Sequence, residues 1–341
     1  MSARTLLLDL AARGARFPIG TDLVLSEQAH PEAIKLDGAA LGRVMIESAC
    51  RWNTPLVVPL MDLAVEKEWL GLALGIARDR VDGWHIDGVI PTRLPAAPPT
   101  PRLAANAAAI RYVAEHSDRI PCGMCIGPFS LMTKLVSDPI TPVYTAGLGE
   151  TDEDVERLER LLDLCTEVVL QSIDQQVAAG VRALMVCEPA ANTVYFSPKQ
   201  LAAGADTYDR YVMTPNRRIA ARLEESGVAL IFHDCGELTP ELVGKLTTLR
   251  PAMLSLGASR LLWEDAALVP RDIVLYGNLP SKQFYSDATM PAARVRELAG
   301  ELLQRMRATG HPFILGSECD VLNVPGSEVR IREKVKAFLE V

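Results

Sequence analysis

His233 and Cys235, in the segment HDCG (residues 233–236), are the sharpest chemical feature of this 341-residue chain. Two positions apart on an extended backbone, both side chains point to the same side. A converging imidazole and thiolate make half of a zinc site, since Zn²⁺ takes His nitrogen and Cys sulfur in tetrahedral sets. A His-x-Cys pair alone is a weak signal, because cysteine is often a small buried hydrophobe. This pair gains weight from its place directly after the apolar run Val228–Phe232. Along that run the parity groups Ala229 and Ile231 with His233 and Cys235, leaving Val228, Leu230 and Phe232 on the other face. Cys319, just beyond the run Pro312–Leu315, is the candidate third ligand. Glu188, after Val181–Cys187, could complete the shell or act as a catalytic carboxylate, although Glu188-Pro189 also reads as a plain turn.

Other residues need the same weighing. Asp62, after Leu56–Met61, is expected in the site as a catalytic carboxylate. Glu66 and Glu68, which follow it, suit a helix N-terminus, where acids favour the dipole. Asp22 and Asn278 are expected to contact the cofactor, with a turn role for Asn278 equally open. Cys122-x-x-Cys125 resembles a metal or redox motif, but positions three apart on a straight strand face opposite ways. Core packing is expected there, as for Cys50, Cys165 and Cys187. His30, His85, His116 and His311 lie in loops or at element ends, where solvation is expected.

Elements must position these groups. Eight short apolar runs serve as strand candidates: 17–25, 56–61, 121–126, 181–187, 228–232, 252–256, 273–276 and 312–315. Several are nearly continuous in Val, Ile, Leu and Ala, as parallel strands buried on both faces require. Helical patterns lie between them, at about 37–52, 154–179, 206–226, 291–309 and 327–339. The second opens with acids at its start, and the third and fourth end at Gly227 and Gly310. Eight strand–helix alternations predict a single-domain (β/α)₈ barrel with an extra N-terminal helix. The Pro-rich stretch Trp84–Pro101 is expected to be a hairpin or loop insertion between strands two and three. The reactive residues then gather at the carboxyl ends of the strands, the face where such barrels do chemistry.

Composition narrows the function. Lys and Arg number 35 against 43 Asp and Glu, a net charge of -8, so no basic stripe is available for nucleic acid. No apolar run is long enough to span a bilayer. Seven cysteines, an odd count, argue against a disulfide framework and for a reducing, cytoplasmic setting.

The segments GPFSLMTKL (127–135), QQVAAG (175–180), SPKQL (197–201), HDCG, YGNLP (276–280) and VPGSEVRIREKVKAF (324–338) resemble the uroporphyrinogen decarboxylase superfamily. That superfamily consists of (β/α)₈ barrels. The decarboxylases proper carry arginines at the first strand for a polycarboxylate tetrapyrrole; this chain has FPIGTDLVLSE there. Its acidic mouth would repel such a substrate. His233, Cys235 and Cys319, with DLAVEKEWLG (62–71), resemble instead the methylcobalamin:coenzyme M methyltransferase branch. The resemblance implies a zinc-dependent enzyme that passes a methyl group from a methyl-corrinoid to a thiol such as coenzyme M or homocysteine, or to a folate. No Asp-x-His-x-x-Gly corrinoid segment is evident, so the corrinoid is expected as a free cofactor or on a separate protein. The oligomer is expected to be a monomer or homodimer. A decarboxylase or lyase using Asp62 and Glu188, and a non-catalytic corrinoid or tetrapyrrole binder, are the competing readings.

Overall fold

The computed structural model describes residues 2–341. Its strands are β1 (Arg16–Ile19), β2 (Leu56–Val57), β3 (Ile120–Ile126), β4 (Ala183–Cys187), β5 (Ala229–Asp234), β6 (Met253–Leu256), β7 (Val274–Leu279) and β8 (Phe313–Asp320). All pairings are parallel, in the order β1-β8-β7-β6-β5-β4-β3-β2. Strands β2 to β8 follow one another in sequence order and β8 returns to β1, the order of a (β/α)₈ barrel. No ladder joins β1 to β2. Near that seam the Thr21 hydroxyl donates to the carbonyl of Val58 at 2.6 Å.

Strand parity builds two cores. Cys122, Met185, Cys187, Ile231, Tyr276 and Ile314 pack together inside the barrel. Their neighbours Cys125, Val186, Phe232, Leu254, Leu275 and Leu315 pack against the helices. The CxxC cysteines thus fall on opposite faces, and the expected alternation along β5 holds. Tyr276 crosses the interior to donate to the carbonyl of Phe17 (2.9 Å). Its ring occupies the space that a Cβ at Gly316 would need. The helix Ala3–Ala12 closes the opposite end: the Arg4 guanidinium donates to the carbonyls of Arg250, Pro251 and Asp272, just before β6 and β7.

Helix ends follow local chemistry. Asp37, Thr100, Asp152 and Thr239 each accept from backbone amides at helix starts. Gly310, at φ 64°, ends the helix Ala292–Thr309 in the left-handed region that glycine tolerates.

Several sequence expectations are corrected. The first strand stops at Ile19, and a helix, Thr21–Leu25, takes the rest of its apolar run, so Asp22 is helical. Strands five, seven and eight run further than expected and carry His233, Asn278, Glu318 and Cys319 within them. The Trp84–Pro101 segment contains no strand among the described residues; a helix, Pro101–His116, follows it. The 206–226 pattern begins as a wider π turn, Asp209–Met213, before Thr214–Glu225. Cys50 is exposed rather than core. His311 is buried, with Nε2 at 2.9 Å from the carbonyl of Ile273.

Glu66 lies in the first turn of the helix Val65–Ala73, yet it is buried rather than solvated. Its Oε1 accepts from Ser172 Oγ (2.8 Å), and its Oε2 has no partner. Burial pushes its carboxyl up to about 7. The folded state therefore holds this proton more tightly than the unfolded chain does. Stability contributed by the protonated form is complete below the ordinary carboxyl range and is lost as pH rises to about 7. The loss amounts to roughly 3 kcal/mol. The urea midpoint of the wild type should fall between pH 5 and 7.5, and Glu66→Gln should flatten that fall; equal slopes for both proteins would contradict it.

A candidate metal centre

The barrel brings three soft ligands to one point. One donor atom from each of His233, Cys235 and Cys319 lies within 4.8 Å of the others. His233 is the penultimate residue of β5, and Cys235 follows the strand directly. Cys319 is the penultimate residue of β8. An eight-stranded barrel is narrow enough for side chains from facing strands to meet.

The β1–β8 register breaks between Phe17, opposite Gly316, and Ile19, opposite Asp320. Two steps along β1 thus span four along β8, an irregularity in the stretch that carries Cys319. Ser317 Oγ accepts the amide of Ile19 (3.0 Å) inside this irregularity.

His233 is held ready. Its Nδ1 lies 2.9 Å from Ser255 Oγ, its register partner on β6. With Nδ1–H donating to that hydroxyl, the lone pair sits on Nε2. Nε2 is buried and has no hydrogen-bond partner. A buried imidazole nitrogen left bare beside two thiols is the donor set that a soft or borderline cation such as Zn²⁺ would satisfy.

The two thiols are electrostatically linked. A hydrogen bond from Cys319 is the main effect holding the Cys235 thiol well below its ordinary range; burial opposes it, and His233 and Lys282 assist. The same bond, with burial, pushes Cys319 up. Two like charges this close would repel, so the pair resists losing both protons.

Support for Cys235 comes from beneath. Asp234 Oδ1 accepts the amide of Gly236 (2.8 Å), fixing the turn after the strand. A Cβ at Gly257 would meet the Cys235 backbone, so only glycine allows this approach. Asn278 Nδ2 donates to the carbonyls of Gly257 (2.7 Å) and Arg260 (2.9 Å), tying that glycine's loop to β7.

The other sequence candidates lie in different settings. Glu188 is not part of the trio. It follows Val186 on the helix-facing side, where its carboxylate accepts from the amides of Phe129 (3.1 Å) and Ser130 (2.9 Å) and from Asn216 Nδ2 (3.0 Å). It caps the helix Pro128–Thr133, and Gly127 leaves it room. The expected fourth-ligand position is therefore not where this side chain sits. Burial raises its carboxyl, against those hydrogen bonds. Asp62 accepts from the amide of Ala64 (3.2 Å) and pairs with Arg102, which also binds Glu68. Asp22 accepts from the amide of Asn323 (3.2 Å) and lies near Asp320, which burial and then Asp22 raise to about 8.

Two residues of this region escape the sequence reading. Ser255 is an ordinary strand residue until the β5–β6 register sets it beside His233. Lys282 stands on the short turn Ser281–Gln283 after β7, and Cys235 and Cys319 favour its charged form against burial. Its place just past YGNLP was the available signal.

Residues 44–340 match the family described as "Uroporphyrinogen decarboxylase (URO-D)", and the chain belongs to that family. A methylcobamide:CoM methyltransferase, MtbA of Methanosarcina mazei, is 26% identical over 144 residues. That match covers 41% of this chain and 38% of the relative, well under two thirds of its length. A solved structure titled "methyltransferase from Methanosarcina mazei" superposes with a TM-score of 0.70 at 16% identity, covering 100% of this chain and 99% of that one. The likeness establishes the (β/α)₈ fold.

The Ser255 contact generates a prediction. Ser255→Ala should lower zinc affinity by about 10–100-fold, measured by competition with a coloured chelator, while circular dichroism stays unchanged. Unaltered affinity would show that the imidazole needs no such partner.

Proposed function

We propose that this member of the uroporphyrinogen decarboxylase family is a zinc-dependent methyltransferase that moves a methyl group from a methyl-corrinoid to a thiol such as coenzyme M. The observation that carries the proposal is the convergence of His233, Cys235 and Cys319 around a buried, unpartnered imidazole nitrogen. Zinc held by these residues would supply the Lewis acidity that makes a thiol, ordinarily protonated below pH ~8.5, a thiolate at neutral pH.

The chain's own residues do the positioning. Ser255 fixes the imidazole tautomer, and Asp234 and Gly257 fix the Cys235 turn. Three protein ligands leave a fourth position for the substrate sulfur. A bound methyl-corrinoid would supply a methyl group that leaves without the electrons of its bond to cobalt, and a substrate sulfur that has already lost its proton would take it on a lone pair. The difficult bond cleavage belongs to the corrinoid. The donor we propose is a methyl-corrinoid, free or carried on a separate protein, a class that the relative named for methylcobamide supports. Asp62 and Glu188 are engaged with Arg102 and with the Pro128–Thr133 helix, which weighs against a decarboxylase that would use them as an acid–base pair.

The experiment is anaerobic demethylation of methylcobalamin, followed by its colour change, with several thiols and with tetrahydrofolate. Cys319→Ala should cost at least ~100-fold in rate, because loss of a metal ligand exceeds the loss of an outer contact. Cys165→Ala, a buried packing residue on the long helix Glu153–Ala178, should cost little. Zinc-loaded wild type that demethylates the corrinoid with none of these acceptors would overturn the proposal.

A further inference from the structure

The amino-terminal end of the barrel, opposite the mouth, carries a concavity of its own. A cavity of about 570 Å³ lies between the helix Ala3–Ala12, the helix Ala292–Thr309 and the starts of β1 and β8. Its size falls in the range of small-ligand pockets, ~300–1,000 Å³. Leu8, Leu303, Met306 and Phe313 give it an apolar side, and Arg13, Arg16, Arg307 and His311 give it a polar one. No Asp or Glu is among its lining residues, although the chain carries 43 acids and a net charge of -8.

The charge there is largely uncompensated. Arg13 pairs with Asp9 (2.9 Å). Arg16 donates to the carbonyl of Leu339 (3.2 Å) and has no ion pair among the described residues. A cation in the last turn of a helix can serve the dipole, which would account for Arg307. Arg271, however, already donates to the last carbonyls there, those of Thr309 (3.1 Å) and Gly310 (2.7 Å). The Arg307 side chain is exposed, with no hydrogen bond or ion pair among the described residues. On the same wall, His311 gives its Nε2–H to the carbonyl of Ile273 (2.9 Å), which leaves Nδ1 buried and without a partner. A buried acceptor lacking a donor marks that wall as unfinished.

We propose that this cavity binds a small organic anion, a carboxylate or phosphate monoester with a short apolar body. The guanidinium groups of Arg16 and Arg307 take the acid, because their planar forks match carboxylate and phosphate oxygens. The apolar side takes the body. The site lies at the opposite end of β8 from Cys319, so it stands independently of the metal centre and of methyl transfer.

The test is calorimetric titration of the full chain with hexyl phosphate, hexanoate, inorganic phosphate and the neutral 1-hexanol. Wild type should bind hexyl phosphate or hexanoate more tightly than inorganic phosphate or hexanol, and the stronger of the two names the head group. Arg307→Met should weaken that binding by ~10-fold or more, the scale of a charge-assisted hydrogen bond; Arg307→Lys should weaken it less. Ala12→Trp, on the exposed rim, should fill the cavity and abolish binding while circular dichroism stays unchanged. Arg160→Met removes an exposed arginine of the helix Glu153–Ala178, outside the cavity, and should change nothing. Equal losses in Arg160→Met and Arg307→Met would reveal diffuse attraction to surface charge and overturn the site. So would binding that survives Ala12→Trp, inorganic phosphate bound as tightly as the amphiphiles, or a wild type that takes none of the probes.

Discussion

Two cysteine thiols brought close together cannot both ionise readily without a positive charge between them. One donor atom each from Cys235, Cys319 and His233 lies within 4.8 Å of the others, and the His233 Nε2 is buried and bare. A divalent cation at this point would satisfy the bare nitrogen and the charge of both sulfurs at once. Much of the surrounding structure is best understood as the means of holding this unsatisfied trio in place.

The supports act through register and bulge more than through bulk. The β5–β6 ladder puts Ser255 beside His233, and a glycine at 257 lets the next loop approach the Cys235 backbone. On the far side of the axis, the register between β1 and β8 breaks in the stretch that carries Cys319. These devices sit on strands fixed by two buried cores, so the ligands need no metal to find one another. Loss of metal should then disturb chemistry more than folding, in contrast to small domains whose fold is the metal site.

Part of this was legible in the sequence. The eight alternations and the small-inside, bulky-outside parity of β5 follow from residue types alone, and the convergence of strands five and eight follows from the fold they imply. Other features depend on pairing partners that periodicity does not reveal. The register break beside Cys319 exists only in relation to β1. Glu188 lay at a strand end like the ligands, but one step of parity placed it under a helix N-terminus. Asp22 fell in an apolar run that read as strand, although the chain turns helical at Thr21. Ser255 and Lys282 are common residues that matter only through the side chains opposite them. Sequence pattern thus locates strand ends well, and says little about which of the residues gathered there face one another.

Family membership and the shared fold are compatible with several chemistries on one barrel, so the decision rests on the trio. X-ray absorption at the zinc edge, on protein purified without added metal, addresses it most directly. The account predicts one zinc per chain, with two sulfurs at about 2.3 Å and a nitrogen at about 2.0–2.1 Å. A metal-free protein that also fails to take up zinc, or a bound zinc with no sulfur in its shell, would contradict it.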